Sequence, residues 1–171
     1  MLYLLDASVL ITANNLYYPV DRVPEYWTWL HHMGKLGRVK IPLENFEEIK
    51  DGPKDQSKDL LFGWLQNDLN REALLLNEDV DTDLLQKVVS VGYANDLSDD
   101  EIELLGRDPF LIAYRLVFPS DRYVVTVEAS TPKKTRQNRH IPDVCNSLDV
   151  KWCDPFAMAR ALGFKTNWQT G

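Results

Sequence analysis

Glycine is missing where a dinucleotide-binding fold needs it. No Gly-x-Gly-x-x-Gly turn follows the first apolar segment, Leu2-Tyr3-Leu4-Leu5, so a pyrophosphate cradle of that kind is excluded. Cysteine is as scarce: with only Cys145, Cys153 and three histidines, a zinc cluster at ligand spacing is hard to assemble. The two thiols are expected to be reduced and to fill the core, as a cytosolic setting favours. No run approaches the ~18 consecutive apolar residues of a membrane span, and Met1 to Ile11 lacks a basic leader and a small-residue cleavage site. A cytoplasmic protein without membrane contact is therefore expected. Excess positive charge is lacking too, since the formal net charge is -7, which argues against tight nonspecific attraction to polyanions.

What the chain does have is enough apolar material for one compact body. Its 171 residues are 44% hydrophobic and 26% charged, which suits a single domain over residues 1–171. There is no repeat, linker or low-complexity tract. Strand-like and helix-like patterns alternate, the signature of an α/β fold with a mostly parallel sheet. Strands are expected at Leu2 to Leu5, Val39 to Ile41, Tyr123 to Val127 and Val150 to Trp152. Pro24 opens a helix with Trp27, Leu30 and His31 at helical spacing, and Leu43, Phe46, Ile49 and Lys50 mark another that Gly52-Pro53 must end. Two apolar stripes fill the middle: Leu60, Leu61, Trp64, Leu65 and Leu69, then Val80, Leu84, Leu85, Val88 and Val89. Ser98-Asp99-Asp100-Glu101 reads as a capping box ahead of a short helix that Gly106 breaks. Asp108-Pro109 and Asp154-Pro155 each read as a cap followed by proline in the first helical position.

Acids stand at informative places in this pattern. Asp6 follows the first strand directly, and Asp108 heads the helical segment Pro109-Phe110-Leu111-Ile112-Ala113-Tyr114. Side chains leaving the carboxyl ends of parallel strands converge on one crevice, so acids there suggest a metal or phosphate site. A charge at the end of a buried strand needs capping amides or a cation, which makes Asp6 the hardest to read as scaffold. Asp108 also reads as a helix cap and nothing more, and Glu48 as an exposed helix acid.

The order of these motifs resembles the PIN domain family. Asp6-Ala7-Ser8 before the apolar Val9-Leu10-Ile11 is similar to that family's opening; Glu48-Ile49, Asp108 and Val124-Val125-Thr126-Val127-Glu128 look like its later acidic positions. Tyr17-Tyr18-Pro19, Trp27-Thr28-Trp29-Leu30 and Ile141-Pro142-Asp143-Val144-Cys145 resemble more particularly the DUF4411 branch, related to VapC-type toxins. The resemblance implies a PIN-like three-layer α/β/α fold with a central, mostly parallel sheet of four to five strands. It implies a metal-dependent endoribonuclease whose acids are Asp6, Glu48 and Asp108, with either Glu128 or Asp143 as the fourth. Glu44 and Glu47 are alternatives to Glu48.

Carboxylates forced together raise one another's pKa unless a divalent cation neutralises them. Mg2+ prefers oxygen ligands and keeps several waters, and Mn2+ accepts similar ones. Such an ion polarises a scissile phosphate and lowers the pKa of a bound water. Thr126 is expected to hydrogen-bond at this site or to serve as a β-branched strand residue. The stretch from Ser130 to His140 carries Lys133, Lys134, Arg136 and Arg139 and no acid, and reads either as a phosphate-contacting loop or as a solvated one. Asn14 is expected to end the first helix with Asn15. Trp27, Trp29, Tyr17 and Tyr18 are candidates for stacking on bases, with packing the better reading of Trp27. The implied partners are RNA, single-stranded or looped, a cognate antitoxin if the chain is a toxin, and a second copy in a homodimer. The competing reading is a noncatalytic PIN-like module that binds RNA or protein. An aspartate-nucleophile phosphatase is disfavoured because Ser8 stands where a second acid belongs.

Overall fold

The structure, a computed structural model, describes residues 1–50 and 60–170, and the side chains of all of these except Lys50 and Thr170. Four strands, β1 (Leu2–Leu5), β2 (Val39–Lys40), β3 (Arg122–Val125) and β4 (Trp152–Cys153), form one sheet in the order β2-β1-β3-β4. Every pairing is parallel, with Tyr3 opposite both Val39 and Tyr123, and Val124 opposite Trp152. Beyond β2, Ile41 makes an isolated parallel bridge to Leu75.

Ten α-helices among the described residues carry the crossovers. They are α1 (Ala7–Thr12), α2 (Pro24–Lys35), α3 (Leu43–Lys50), α4 (Leu60–Gln66), α5 (Asp68–Leu74), α6 (Thr82–Lys87), α7 (Asp99–Leu104), α8 (Asp108–Val117), α9 (Ile141–Ser147) and α10 (Pro155–Ala161). Two run on as π-helical turns, α1 through Ala13–Tyr17 and α6 through Val88–Tyr93. Because side chains alternate along a strand, Leu5 and Val125 enter one core with Tyr26, Trp27, Trp29 and Phe46. Leu4 and Val124 enter the other with Leu111, Ile112, Ile141 and Val144. Helices therefore cover both sheet faces, the three-layer α/β/α arrangement that uninterrupted apolar strands require. No described helix is long and apolar enough to cross a membrane, and both cysteines are free thiols.

The pattern and the fold differ in places. β3 stops at Val125, so Thr126 and Val127 leave the ladder where the Thr126 hydroxyl turns to a side-chain partner. β4 starts at Trp152 because Asp149, at φ 54, makes a turn and Val150 N bonds back to Cys145 O. The first middle stripe is two helices. Asn67 accepts from the amides of Leu69 and Asn70 and so starts α5 afresh, which turns Leu69 outward to 66% exposure. Asn14 does not end the first helix: the chain continues as a π turn, and Asn14 accepts from Val20 N. Trp29 is buried like Trp27, so neither can offer a face to a base. The capping box at Ser98 and Glu101 forms as expected, as does the Asp154 cap on Ala157 N. The Gly52-Pro53 stop lies outside the described residues.

Candidate active site

The sheet order places a topological switch at β1: the chain leaves it for β2 on one side and reaches β3 on the other. Ligands bind outside the carboxyl ends of strands at such a point. Asp6 stands there, only 5% exposed, its amide bonded to Val125 O. Thr126, fully buried at the matching end of β3, donates its hydroxyl to Asp6 Oδ2 at 3.1 Å and accepts from Glu128 N at 3.2 Å. Ser8 Oγ donates to the same Asp6 oxygen. Burial pushes the Asp6 carboxyl up, the two hydroxyls pull it down, and the Glu128 charge pushes it up again, for a net rise.

Asp108 is the first residue of α8, preceded by Arg107 in the cap position, and makes no capping bond. The scaffold reading of Asp108 as a cap is thereby corrected, and Pro109 takes the second helical position. Its carboxyl is pushed up to about 8, first by burial and then by the charges of Asp6, Glu128 and Glu48. Three of the acids singled out from the sequence thus act on a fourth. Glu48 supplies its charge from an exposed position on α3, whereas Glu44 meets the Tyr114 hydroxyl at 3.4 Å.

Asp143 has a different task. Ser130 Oγ donates to its Oδ1 at 2.5 Å and Thr131 N to its Oδ2 at 2.8 Å. Burial raises its pKa, but these bonds and the nearby His140 and Arg139 outweigh that and lower it. Asp143 anchors the 129–140 segment, while Glu128 lies with the acidic group and accepts from Ile141 N at 2.7 Å through Oε2. Of the two alternatives for a fourth acid, Glu128 is the one whose charge acts on Asp6 and Asp108.

The basic segment divides as well. Arg136 is held by Asp96 and Glu101, each at 2.7 Å, and this pairing pulls Glu101 down to about 2. Arg139 donates to the carbonyls of Gly92 and Asp143. Both guanidinium groups are occupied within the fold, and Lys134 Nζ lies 2.7 Å from His140 Nε2. Lys133 is exposed.

Two further residues belong to the site. Ser8 was legible as part of the Asp6-Ala7-Ser8 opening and as the position that disfavours a phosphatase, not as a partner of Asp6. Tyr93 closes the π turn after α6; its hydroxyl is buried without a partner among the described residues, and it feels the charges of Asp108 and Glu128. Nothing in the apolar run Val88 to Val91 separates this tyrosine from ordinary core.

The donor chemistry fits a hard cation. Burial and three negative charges all destabilise the ionised form of Asp108, and a divalent ion reverses all of those penalties. Among the described residues, no three His, Cys, Asp or Glu side chains are gathered closely enough to hold an ion on their own. A cation here fits by taking one or two carboxylates and completing its shell with water, the habit of Mg2+.

In comparison with known proteins, residues 3–166 match the family described as "Domain of unknown function (DUF4411)". No curated protein and no solved structure matches the chain.

Proposed function

The chain belongs to the DUF4411 family, and we propose that it is a metal-dependent endoribonuclease with a PIN-like fold, using Mg2+ or Mn2+ held by water and by one or two carboxylates of the group Asp6, Asp108, Glu128 and Glu48. The observation that carries this reading is the placement of mutually opposed carboxylates at the sheet's switch point, with Asp108 raised to about 8. Charge crowding of this degree costs stability and is retained where it serves a site. The PIN kinship rests on Asp6 at the end of β1, Asp108 at the head of α8 and the Thr126-Val127-Glu128 exit from β3.

When bound, the cation supplies charge neutralisation at the scissile phosphate and a water acidified for attack. The chain's own residues set the frame. Thr126 and Ser8 fix the Asp6 carboxylate through Oδ2, and Thr126 ties that carboxylate to the Glu128 backbone, so two ligating candidates keep one mutual arrangement. Below about pH 8 a bound cation would favour the ionised form of Asp108, which couples ligation to loss of its proton. RNA with an exposed, unpaired backbone is the substrate class proposed for this acidic group. A toxin role, with an antitoxin that restrains it, is part of the same proposal and is tested by growth arrest on induction of the intact gene but not of the Asp6→Asn form.

The direct test incubates purified protein with structured and unstructured RNAs in Mg2+, in Mn2+ and in chelator. Cleavage should need metal and vanish in Asp6→Asn and Asp108→Asn, both folded by circular dichroism. Full activity in both variants would refute the assignment.

A further inference from the structure

Away from the acidic group, sharing no residue with it, a cavity of about 440 Å3 opens between α2, α4, α5 and the C-terminal turn at Trp168–Thr170. Its lining is unlike the surface of a protein whose net charge is -7. Among the described residues that line it there is no Asp or Glu; instead it brings together Trp27, Trp64, Trp168, His31, His32 and Lys35. A second hollow of about 410 Å3 adjoins it through the shared His31, Lys35 and Leu69; it adds Lys40 together with one acid, Glu72, so the acid-free lining belongs to the first cavity.

The aromatic part is built rather than incidental. Trp64 packs edge-on against buried Trp27 with ring centroids 5.0 Å apart, and His32 stacks on Trp168 at 5.0 Å and 29°. Trp168 Nε1 donates to Glu25 O at 3.1 Å, which ties the C-terminal turn to α2. Trp64 and Trp168 are only half-buried, so each keeps ring surface within the cavity. His31 is also fixed: its Nδ1 lies 2.8 Å from Asn70 Oδ1, while Asn70 Nδ2 donates to Trp64 O at 2.9 Å. Exposed Lys35 follows on the same helix.

Indole surface attracts a planar ring, Lys35 attracts an anion and the histidines offer hydrogen bonds; a nucleotide presents both a ring and an anion. The volume lies within the range of about 300 to 1,000 Å3 common to small-ligand sites. We propose that this cavity binds a nucleotide unit, with the base against Trp168 and Trp64 and the phosphate toward Lys35 and His32. The unit is either a free mononucleotide or one unpaired residue of a longer RNA. The inference stands apart from the acidic pocket, so its failure and that of the nuclease reading are separately visible.

The test uses the intact chain in chelator, so that no strand is cut, and follows tryptophan fluorescence and heat of binding. AMP, adenosine, inorganic phosphate and a six-residue oligoadenylate are the probes. AMP is expected to bind with Kd below ~1 mM, more tightly than adenosine or phosphate. Lys35→Ala and Trp168→Ala should each weaken it roughly tenfold or more, a loss that corresponds to about 1.4 kcal/mol, whereas Asp6→Asn should leave it unchanged. Tighter binding of the oligoadenylate identifies an RNA strand as the occupant, and equal or weaker binding identifies the free nucleotide. Lys35 is exposed, so its substitution cannot act through the core. The proposal is overturned if neither AMP nor the oligoadenylate binds, if phosphate alone binds as tightly as AMP, or if Lys35→Ala binds like the parent.

Discussion

Thr126 Oγ1 reaches Asp6 Oδ2 across 3.1 Å, joining the ends of adjacent strands. The same oxygen accepts from Glu128 N, so one buried hydroxyl orders two of the four acids. Thr126→Val keeps the shape and removes both bonds. It should cost about 1 kcal/mol of stability per lost bond and weaken Mn2+ binding roughly 10- to 100-fold, as loss of a ligand-orienting partner does. Urea unfolding and calorimetric Mn2+ titration measure the two effects.

Metal-free stability should depend on pH through Asp108. Its carboxyl is raised from 3.8 in the free amino acid to about 8 in the fold, so the folded state holds a proton that the unfolded chain releases. That contribution is complete below the lower value and is lost as pH rises through the upper one; Asp6, also raised, acts in the same sense. The melting temperature in chelator should therefore fall from about pH 5 to about pH 8.5. Asp108→Asn should flatten the profile, and Mn2+ should restore stability at the alkaline end. A profile that rises over this range in chelator would contradict the acidic group.

Glu128 and Asp143 should separate cleanly. Glu128→Gln should reduce Mn2+ affinity with little change in protease sensitivity. Asp143→Ala removes the acceptor for Ser130 and Thr131, so proteolysis within residues 129–140 should accelerate while metal affinity changes less than in Glu128→Gln.

Tyr93→Phe removes a buried hydroxyl that lacks a partner among the described residues. The folded protein should gain about 1 kcal/mol in chelator, because an unsatisfied buried donor carries its desolvation cost unrepaid. Cleavage by the same variant should fall, since a group kept against stability beside Asp108 is expected to serve the site. Unfolding curves and initial rates on one RNA decide both points.

The basic segment should split by role. Arg136→Ala frees Glu101 and Asp96 from their shared partner and should raise protease sensitivity around it with a small effect on RNA affinity. Lys133→Ala, at an exposed position, should weaken RNA binding similarly for all sequences and lower the salt-dependence slope by about 1.

Much of this fold was readable because its signals are local. The apolar strands, Pro24 opening α2, the Ser98 and Glu101 box and the Asp154 cap depend on neighbours within four residues. Asp6 and Asp108 could be singled out as candidates because they stand at element ends. Glu128 and Asp143 could not be told apart, because the bonds that occupy Asp143 come from Ser130 and Thr131, 13 and 12 positions away. Charge alone could not sort the arginines either: their partners Asp96, Glu101 and Gly92 lie 35 to 47 residues away. Tyr93 carried no signal, and Leu69 misled because Asn67 restarts the helix beneath an unbroken apolar stripe.

The Asp6 to Thr126 bond spans 120 positions, and that length has a consequence for biosynthesis. On a ribosome, β1 emerges long before its neighbour β3, and the loop between them must close before either end of the bond can form. A nascent chain that has not yet reached residue 126 holds Asp6 and Asp108 without the hydroxyl that sets Asp6. Catalytic competence, on the proposed reading, waits for Thr126 to emerge and for β3 to dock beside β1.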